Sequence, residues 1–210
     1  MKNVLILGDS YSTFEGHIPS GYAPYYRIGG QDGPDVTKVE ETWWHMLMKE
    51  TGANLVMNNS WSGSTICYRG YDNADVSETY SFICRLNRLE KDGFFEQNDV
   101  DTLFIFGGTN DDWIGVELGE EKYDEATKDE LFCIRPAICT ISRRAREILP
   151  NAKIYHVLNT GFKKELYDCF ENAGKRYDIK VIKLENIDKE WGHPTVKGMT
   201  QIKDKILNNL

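Results

Sequence analysis

Residues 103–106 read Leu-Phe-Ile-Phe and run directly into Gly107-Gly108, and residues 4–7 read Val-Leu-Ile-Leu and end at Gly8. Apolar residues at every position, rather than at every second one, mark strands buried on both faces, which belong to parallel sheets covered by helices. Asn54–Met57, Lys153–Leu158 and Ile179–Leu184 read as three further strands. Segments of helical period lie between them. Glu40–Thr51 stops at Gly52, and Ser77–Lys91 repeats Phe82, Ile83, Leu86 and Leu89 at helical spacing. Ile134, Ile138, Ile141, Ala145 and Ile148 form a third stripe, with Pro136 in its first turn or kinking it. Phe162–Tyr177 and Thr195–Leu207 complete the set. This alternation predicts an α/β chain, one domain over residues 1–210, folded as a three-layer α/β/α sandwich around a five-stranded parallel sheet.

Two stretches break the alternation: Ser12–Val39, rich in Gly and Pro, and Trp61–Val76. Loops longer than about fifteen residues are uncommon in compact domains and are often functional. Both follow the carboxyl ends of predicted strands, where open α/β sheets place their ligands. Charge narrows what those ligands are. With 25 basic and 33 acidic residues the net charge is −8, and Arg143-Arg144-Ala145-Arg146 is too short a basic run to grip a phosphate backbone. No nucleic-acid partner is expected. No apolar run reaches the length of a signal-peptide core or a membrane span. The five cysteines (67, 84, 133, 139, 169) contain no CxxC pair, and the four histidines are scattered, so neither a structural metal nor a disulfide framework is predicted. Reduced thiols in a cytoplasmic protein are the expectation.

The chemistry-bearing residues gather where the strands end. Gly8-Asp9-Ser10-Tyr11-Ser12 follows the first strand; Asn58-Asn59-Ser60-Trp61-Ser62-Gly63-Ser64 follows the second; Gly107-Gly108-Thr109-Asn110-Asp111 follows the third. Gly192-His193-Pro194-Thr195 precedes the last helix. In a parallel sheet these ends share one edge, so residues far apart in sequence converge there. Gly-Asp-Ser alone is an ordinary turn, Gly63 alone a turn glycine and Asn110 alone a helix cap. Together, and in this order, the four segments resemble the sequence blocks of the SGNH (GDSL-type) hydrolases across nearly the whole chain, with Ser10, Gly63, Asn110 and His193 at the four positions that name the family.

The resemblance implies a flavodoxin-like fold with strand order 2-1-3-4-5 and a serine esterase that needs no metal or organic cofactor. Ser10 Oγ would attack an ester carbonyl, and His193 would take its proton and return it to the leaving alcohol. The Ser10 and Gly63 backbone N–H groups and the Asn110 amide would form the oxyanion hole. One position departs from the pattern. The family usually carries Asp three residues before the His, where this chain has Glu190, with Asp188 two residues further back. Glu190 is the first candidate to orient His193, Asp188 the second, and a Ser–His dyad oriented by a backbone carbonyl the third.

Tyr11, Trp61 and Trp113 are expected to shape the pocket; Trp43 and Trp44 read as core or groove wall. His45 and His156 read as structural, and His17 lies in the long first loop. The family spans lipases, thioesterases, arylesterases and carbohydrate deacetylases. The absence of a recognisable amphipathic anchor disfavours bulk-lipid substrates, and the polar and aromatic residues around the predicted pocket suit a short acyl group on a polar alcohol, such as an O-acetylated carbohydrate. A longer-chain lipase or thioesterase, or a fold that binds ligand with little catalysis, are the alternatives. A nucleotide-binding protein is disfavoured, since neither GxxxxGK[ST] nor GxGxxG occurs.

Overall fold

The computed structural model describes residues 1–30 and 33–210. Five parallel strands, β1 (Asn3–Gly8), β2 (Asn54–Ser60), β3 (Thr102–Phe106), β4 (Lys153–Leu158) and β5 (Lys180–Lys183), lie in the order β2-β1-β3-β4-β5. The helices of the connections are α1 (Trp43–Thr51), α2 (Phe82–Lys91), α3 (Phe94–Gln97), α4 (Thr109–Trp113), α5 (Ile134–Ile148), α6 (Lys164–Tyr177) and α7 (Val196–Leu207). This is the predicted three-layer sandwich in the predicted order.

The continuous apolar strands split by parity into two cores. Leu5, Leu7, Leu103, Ile105 and Ile154 pack under α2, α5 and α6; Val4, Ile6, Phe104, Phe106, Tyr155 and Val157 pack under α1 and α7. Burial on both faces is what apolar residues at every position signalled. Pro136 sits in the first turn of α5, where its missing N–H has no intrahelical acceptor to lose, and no kink is needed. Gly52 closes α1 at φ 68°.

Several boundaries move. β2 runs three residues past Met57, because Asn58, Asn59 and Ser60 continue the ladder against Ile6, Leu7 and Gly8. Their polar side chains mask a strand in sequence, yet all three are buried and hydrogen-bonded. The helix expected from Ser77 starts only at Phe82, capped by the Ser81 hydroxyl on Cys84 N. Near the carboxyl terminus, β6 (Lys189–Glu190) and β7 (His193–Pro194) form a two-residue hairpin. Both turn residues have positive φ, 51° at Trp191 and 80° at Gly192, the type I′ signature that matches strand twist.

Candidate active site

Ser10 begins a single 3-10 turn (Ser10–Ser12) directly after β1. The Asp9 carboxylate accepts from Tyr11 N at 3.0 Å, and this cap fixes the sharp exit from the strand. Gly8 is required by space: a Cβ there would lie 2.5 Å from Ser60 Oγ and 2.7 Å from Ser12 Cβ. The Ser10 hydroxyl meets His193 Nε2 at 2.9 Å, bridging 183 residues of sequence.

The other imidazole nitrogen settles the tautomer. His193 Nδ1 faces the Trp191 carbonyl at 3.4 Å, and a carbonyl only accepts. Nδ1 therefore carries the proton of the neutral ring, and Nε2 is the acceptor for the serine O–H. Neither acid adjacent in sequence takes part in this contact. Glu190 is exposed and pairs with His193 only through the hairpin backbone. Asp188 is engaged elsewhere: it accepts from the Thr195 hydroxyl, lies 3.5 Å from Lys197 Nζ, and is held below the usual carboxylate range by the Thr195 hydrogen bond. Burial pushes the His193 pKa down to about 4, reinforced by the charge of Lys189 and only partly offset by the Trp191 carbonyl. The imidazole is neutral at pH 7.

Three N–H donors follow the carboxyl ends of β1, β2 and β3: Ser10 N, Gly63 N and Asn110 Nδ2. Ser10 N and Gly63 N have no acceptor among the described residues. Gly63 has φ 79°, which a residue with a Cβ adopts only at a cost. Asn110 Nδ2 gives one hydrogen to Ser64 O at 2.9 Å, and Asn110 Oδ1 accepts from Tyr71 O–H at 2.8 Å. These partners fix the amide orientation and leave the second Nδ2 hydrogen without an acceptor among the described residues.

The loop carrying Gly63 is locked from below. Arg85, fully buried on α2, donates to Gly8 O at 3.1 Å, Ser64 Oγ at 3.0 Å, Tyr80 O at 3.0 Å and both oxygens of Asn59. Asp111, also buried, accepts from Ile66 N at 2.9 Å and Cys67 N at 3.1 Å. Burial raises the Asp9 carboxyl to about 7, with Asp111 adding to the rise and Arg85 opposing it.

The expected pocket residues divide. Tyr11 is not a pocket wall. It is fully buried, its ring is tilted beneath His193 at 5.4 Å, and its hydroxyl donates to Gly192 O at 2.5 Å. One residue after Ser10 in the 3-10 turn, its side chain points into the core. Trp61 is half-buried against Tyr22 and Tyr80, with ring centroids 4.3 and 5.4 Å away. Trp113 stands at the rim, 47% exposed and edge-on to His193 at 5.7 Å. Trp43 and Trp44 are core, their indole N–H groups donating to Ser12. His156 is buried in β4 against Ser142, as its place in an apolar strand predicts.

Sequence reasoning missed Tyr25, Tyr26, Tyr71 and Arg85. Tyr25 lies flat on the His193 ring, centroids 3.6 Å apart at 8°. Tyr26 donates to Pro194 O at 2.9 Å. All three tyrosines come from the two long loops, where no periodicity marks a contact. The buried Arg85 left one faint signal, an arginine next to Leu86 on the apolar side of a helix.

The family description GDSL-like Lipase/Acylhydrolase matches residues 2–210. A GDSL-like lipase structure from Bacteroides ovatus is 42% identical with a TM-score of 0.92, covering 100% of this chain and 97% of that one. A second, from Bacteroides uniformis, is 42% identical with a TM-score of 0.91, covering 100% and 95%. The acetyl xylan esterase Est2A of Butyrivibrio proteoclasticus shares the fold at 15% identity and a TM-score of 0.63, covering 100% of this chain and 63% of that one. No curated protein sequence matches. Ser10, Gly63, Asn110 and His193 thus stand at one sheet edge of a chain that belongs to the GDSL-like lipase/acylhydrolase family, a carboxylic ester hydrolase.

Proposed function

We propose that the chain, as one domain over residues 1–210, hydrolyses short-acyl esters of polar alcohols, O-acetylated carbohydrates among them, through an acyl-serine on Ser10. The 2.9 Å contact between Ser10 Oγ and an unprotonated His193 Nε2 carries this reading. As the hydroxyl attacks the ester carbonyl, its proton passes to Nε2, and the charge developing on the carbonyl oxygen meets Ser10 N, Gly63 N and Asn110 Nδ2. His193 then gives the proton to the leaving alcohol, and water repeats the sequence on the acyl-serine. The exposed indoles of Trp113 and Trp191, 47% and 73% accessible, suit a sugar ring better than an acyl chain. The name of the structural neighbour Est2A, an acetyl xylan esterase, points to the same substrate class. No described helix is long and apolar enough to cross a membrane. The five unpaired cysteine thiols fit a reducing, cytoplasmic setting.

Turnover of p-nitrophenyl acetate against p-nitrophenyl octanoate tests the acyl preference. Acetate is expected to be the faster substrate by kcat/KM, and faster octanoate turnover would sink the short-acyl assignment. A fluorophosphonate should label Ser10 and no other residue.

We further propose a Ser–His dyad, oriented by the Trp191 carbonyl, in place of a carboxylate-completed triad. Glu190→Ala and Asp188→Ala, singly and together, should each keep kcat within about threefold of the parent, far from the roughly 10⁴-fold loss that follows removal of a functional triad carboxylate. The pH profile supplies a second check. The base works only when neutral, so kcat/KM should hold steady downward from pH 7 and fall as pH drops through about 4. An acid limb near 6.5 or above, or a large loss in Glu190→Ala, would restore a carboxylate partner.

A further inference from the structure

We infer that Tyr25 is a positioning residue for the reaction, its ring face holding the His193 imidazole in line with Ser10 and stabilising the imidazolium formed during acyl transfer; this rests on the Ser10–His193 reading above. The orienting carboxylate of a triad does two things: it fixes the ring's direction and it offsets the positive charge the ring acquires. In this chain the Trp191 carbonyl orients Nδ1 through a single 3.4 Å contact and carries no full negative charge to offset the imidazolium, so both tasks leave room for a second group.

Tyr25 supplies both. Its phenol lies parallel to the imidazole at a centroid distance of 3.6 Å and an angle of 8°. Two neutral rings prefer an offset or edge-on arrangement to one placed squarely face to face. A cation over an aromatic face is attracted by the ring's quadrupole, so this contact improves when the imidazole gains a proton. An interaction that strengthens in the transition state raises kcat rather than substrate binding. The Lys189 ammonium disfavours the same protonation, and the Trp191 carbonyl favours it.

The surrounding bonds show what sets the stack. Tyr25 N donates to Thr13 Oγ1 at 2.8 Å, and Thr13 Oγ1 donates to Ser10 O at 3.0 Å. Ser10 Oγ in turn meets His193 Nε2 at 2.9 Å. Nucleophile, Thr13, Tyr25 and base thereby close one ring of contacts, so the stack is registered against the serine turn itself. The neighbouring tyrosines secure the base's backbone on both sides, Tyr11 through Gly192 O and Tyr26 through Pro194 O. Tyr25 is half-buried on a loop and packs against the edge of the α1/α7 core without being one of its buried members, so the melting temperature of each variant is read beside its kinetics.

The test compares Tyr25→Phe with Tyr25→Leu on p-nitrophenyl acetate, with kcat and KM resolved and the melting temperature measured for each; Tyr25→Met stands in should the Leu variant fail to fold. Tyr25→Phe keeps the ring face and should retain kcat within about threefold, whereas Tyr25→Leu should lose about tenfold or more in kcat with KM little changed. The fluorophosphonate labelling rate of Ser10 should fall in parallel. Equal kcat in the Phe and Leu variants, or a loss confined to KM, overturns the assignment and makes Tyr25 a pocket wall. The parent protein separates the two levels: no labelling at Ser10 there refutes the Ser10–His193 reading itself, while parental labelling that persists at full rate in Tyr25→Leu refutes only the role of Tyr25.

Discussion

Ser10→Ala is expected to lower kcat on p-nitrophenyl acetate by about 10⁴-fold or more while the melting temperature stays within a few degrees of the parent. The chemical reason is that no second nucleophile is in place: the group facing Nε2 of the base is the Ser10 hydroxyl at 2.9 Å. Removing it leaves only direct attack by water, with no acyl-serine to split the reaction and only His193 and the donors at Ser10 N, Gly63 N and Asn110 Nδ2 to help. The structural reason that the fold survives is equally local. The Asp9 cap on Tyr11 N and the Thr13 hydroxyl bond to Ser10 O both end on backbone atoms at this turn, and alanine keeps the two of them. His193→Ala should cost a comparable factor, and the double variant no more than either single one, because two groups that act in one proton transfer cannot be lost twice. Losses that multiplied in the double variant would mean that the two residues act independently, and the proposed mechanism would fall. Kinetics with p-nitrophenyl acetate on the four proteins is sufficient to decide this.

The ease with which Ser10 and His193 are found in the sequence contrasts with the difficulty of the groups around them. A strand buried on both faces has no polar positions to confuse its pattern, so Val4–Leu7 and Leu103–Phe106 are legible as strands and the residues just beyond them as strand-end residues. The short motifs follow, since each occupies a backbone position that the sheet edge dictates. Asn58–Ser60 was illegible as strand because its partners are side chains and carbonyls of other segments, not apolar neighbours. The hairpin around His193 was illegible for a different reason. Trp191 adopts φ 51°, a conformation for which tryptophan gives no hint, and only the following Gly192 suggests a turn. That unannounced turn places the Trp191 carbonyl at Nδ1 and leaves Glu190 at the surface, so the acid position could not be resolved from spacing along the chain. Tyr25 and Tyr71 belong to the same class. They reach the site through loops whose path is fixed by tertiary bonds such as Ser62 N to Ala23 O at 2.9 Å, which no local pattern encodes.

Arg85 makes the largest claim on stability. Its guanidinium is fully buried, and no carboxylate among the described residues touches it. Burial lowers its pKa to about 10, so it remains charged at pH 7. What compensates the charge is a shell of oxygens: the carbonyls of Gly8, Asn59 and Tyr80, the Asn59 amide oxygen and the Ser64 hydroxyl, with the Phe82 ring 4.5 Å beneath. All of those acceptors except the half-buried Tyr80 carbonyl are buried, so Arg85→Met keeps the apolar packing yet strands several at once. Leaving buried polar partners unpaired costs about 1–3 kcal/mol for each group before relaxation. Breaking a buried charged cluster from one side costs roughly 3–5 kcal/mol in total. At about 2–4 °C per kcal/mol for a chain of this size, the melting temperature should drop by about 6–20 °C. Arg85→Lys should recover little of this, since one ammonium cannot span acceptors arranged for a planar fork. Below the melting transition the Met variant should still lose kcat, because Gly8 and Ser64 flank the turn and loop that carry Ser10 and Gly63. Urea unfolding that placed Arg85→Met within 1 kcal/mol of the parent would show that water or rearrangement satisfies those oxygens. The guanidinium would then be a bystander to the Gly63 loop rather than its anchor.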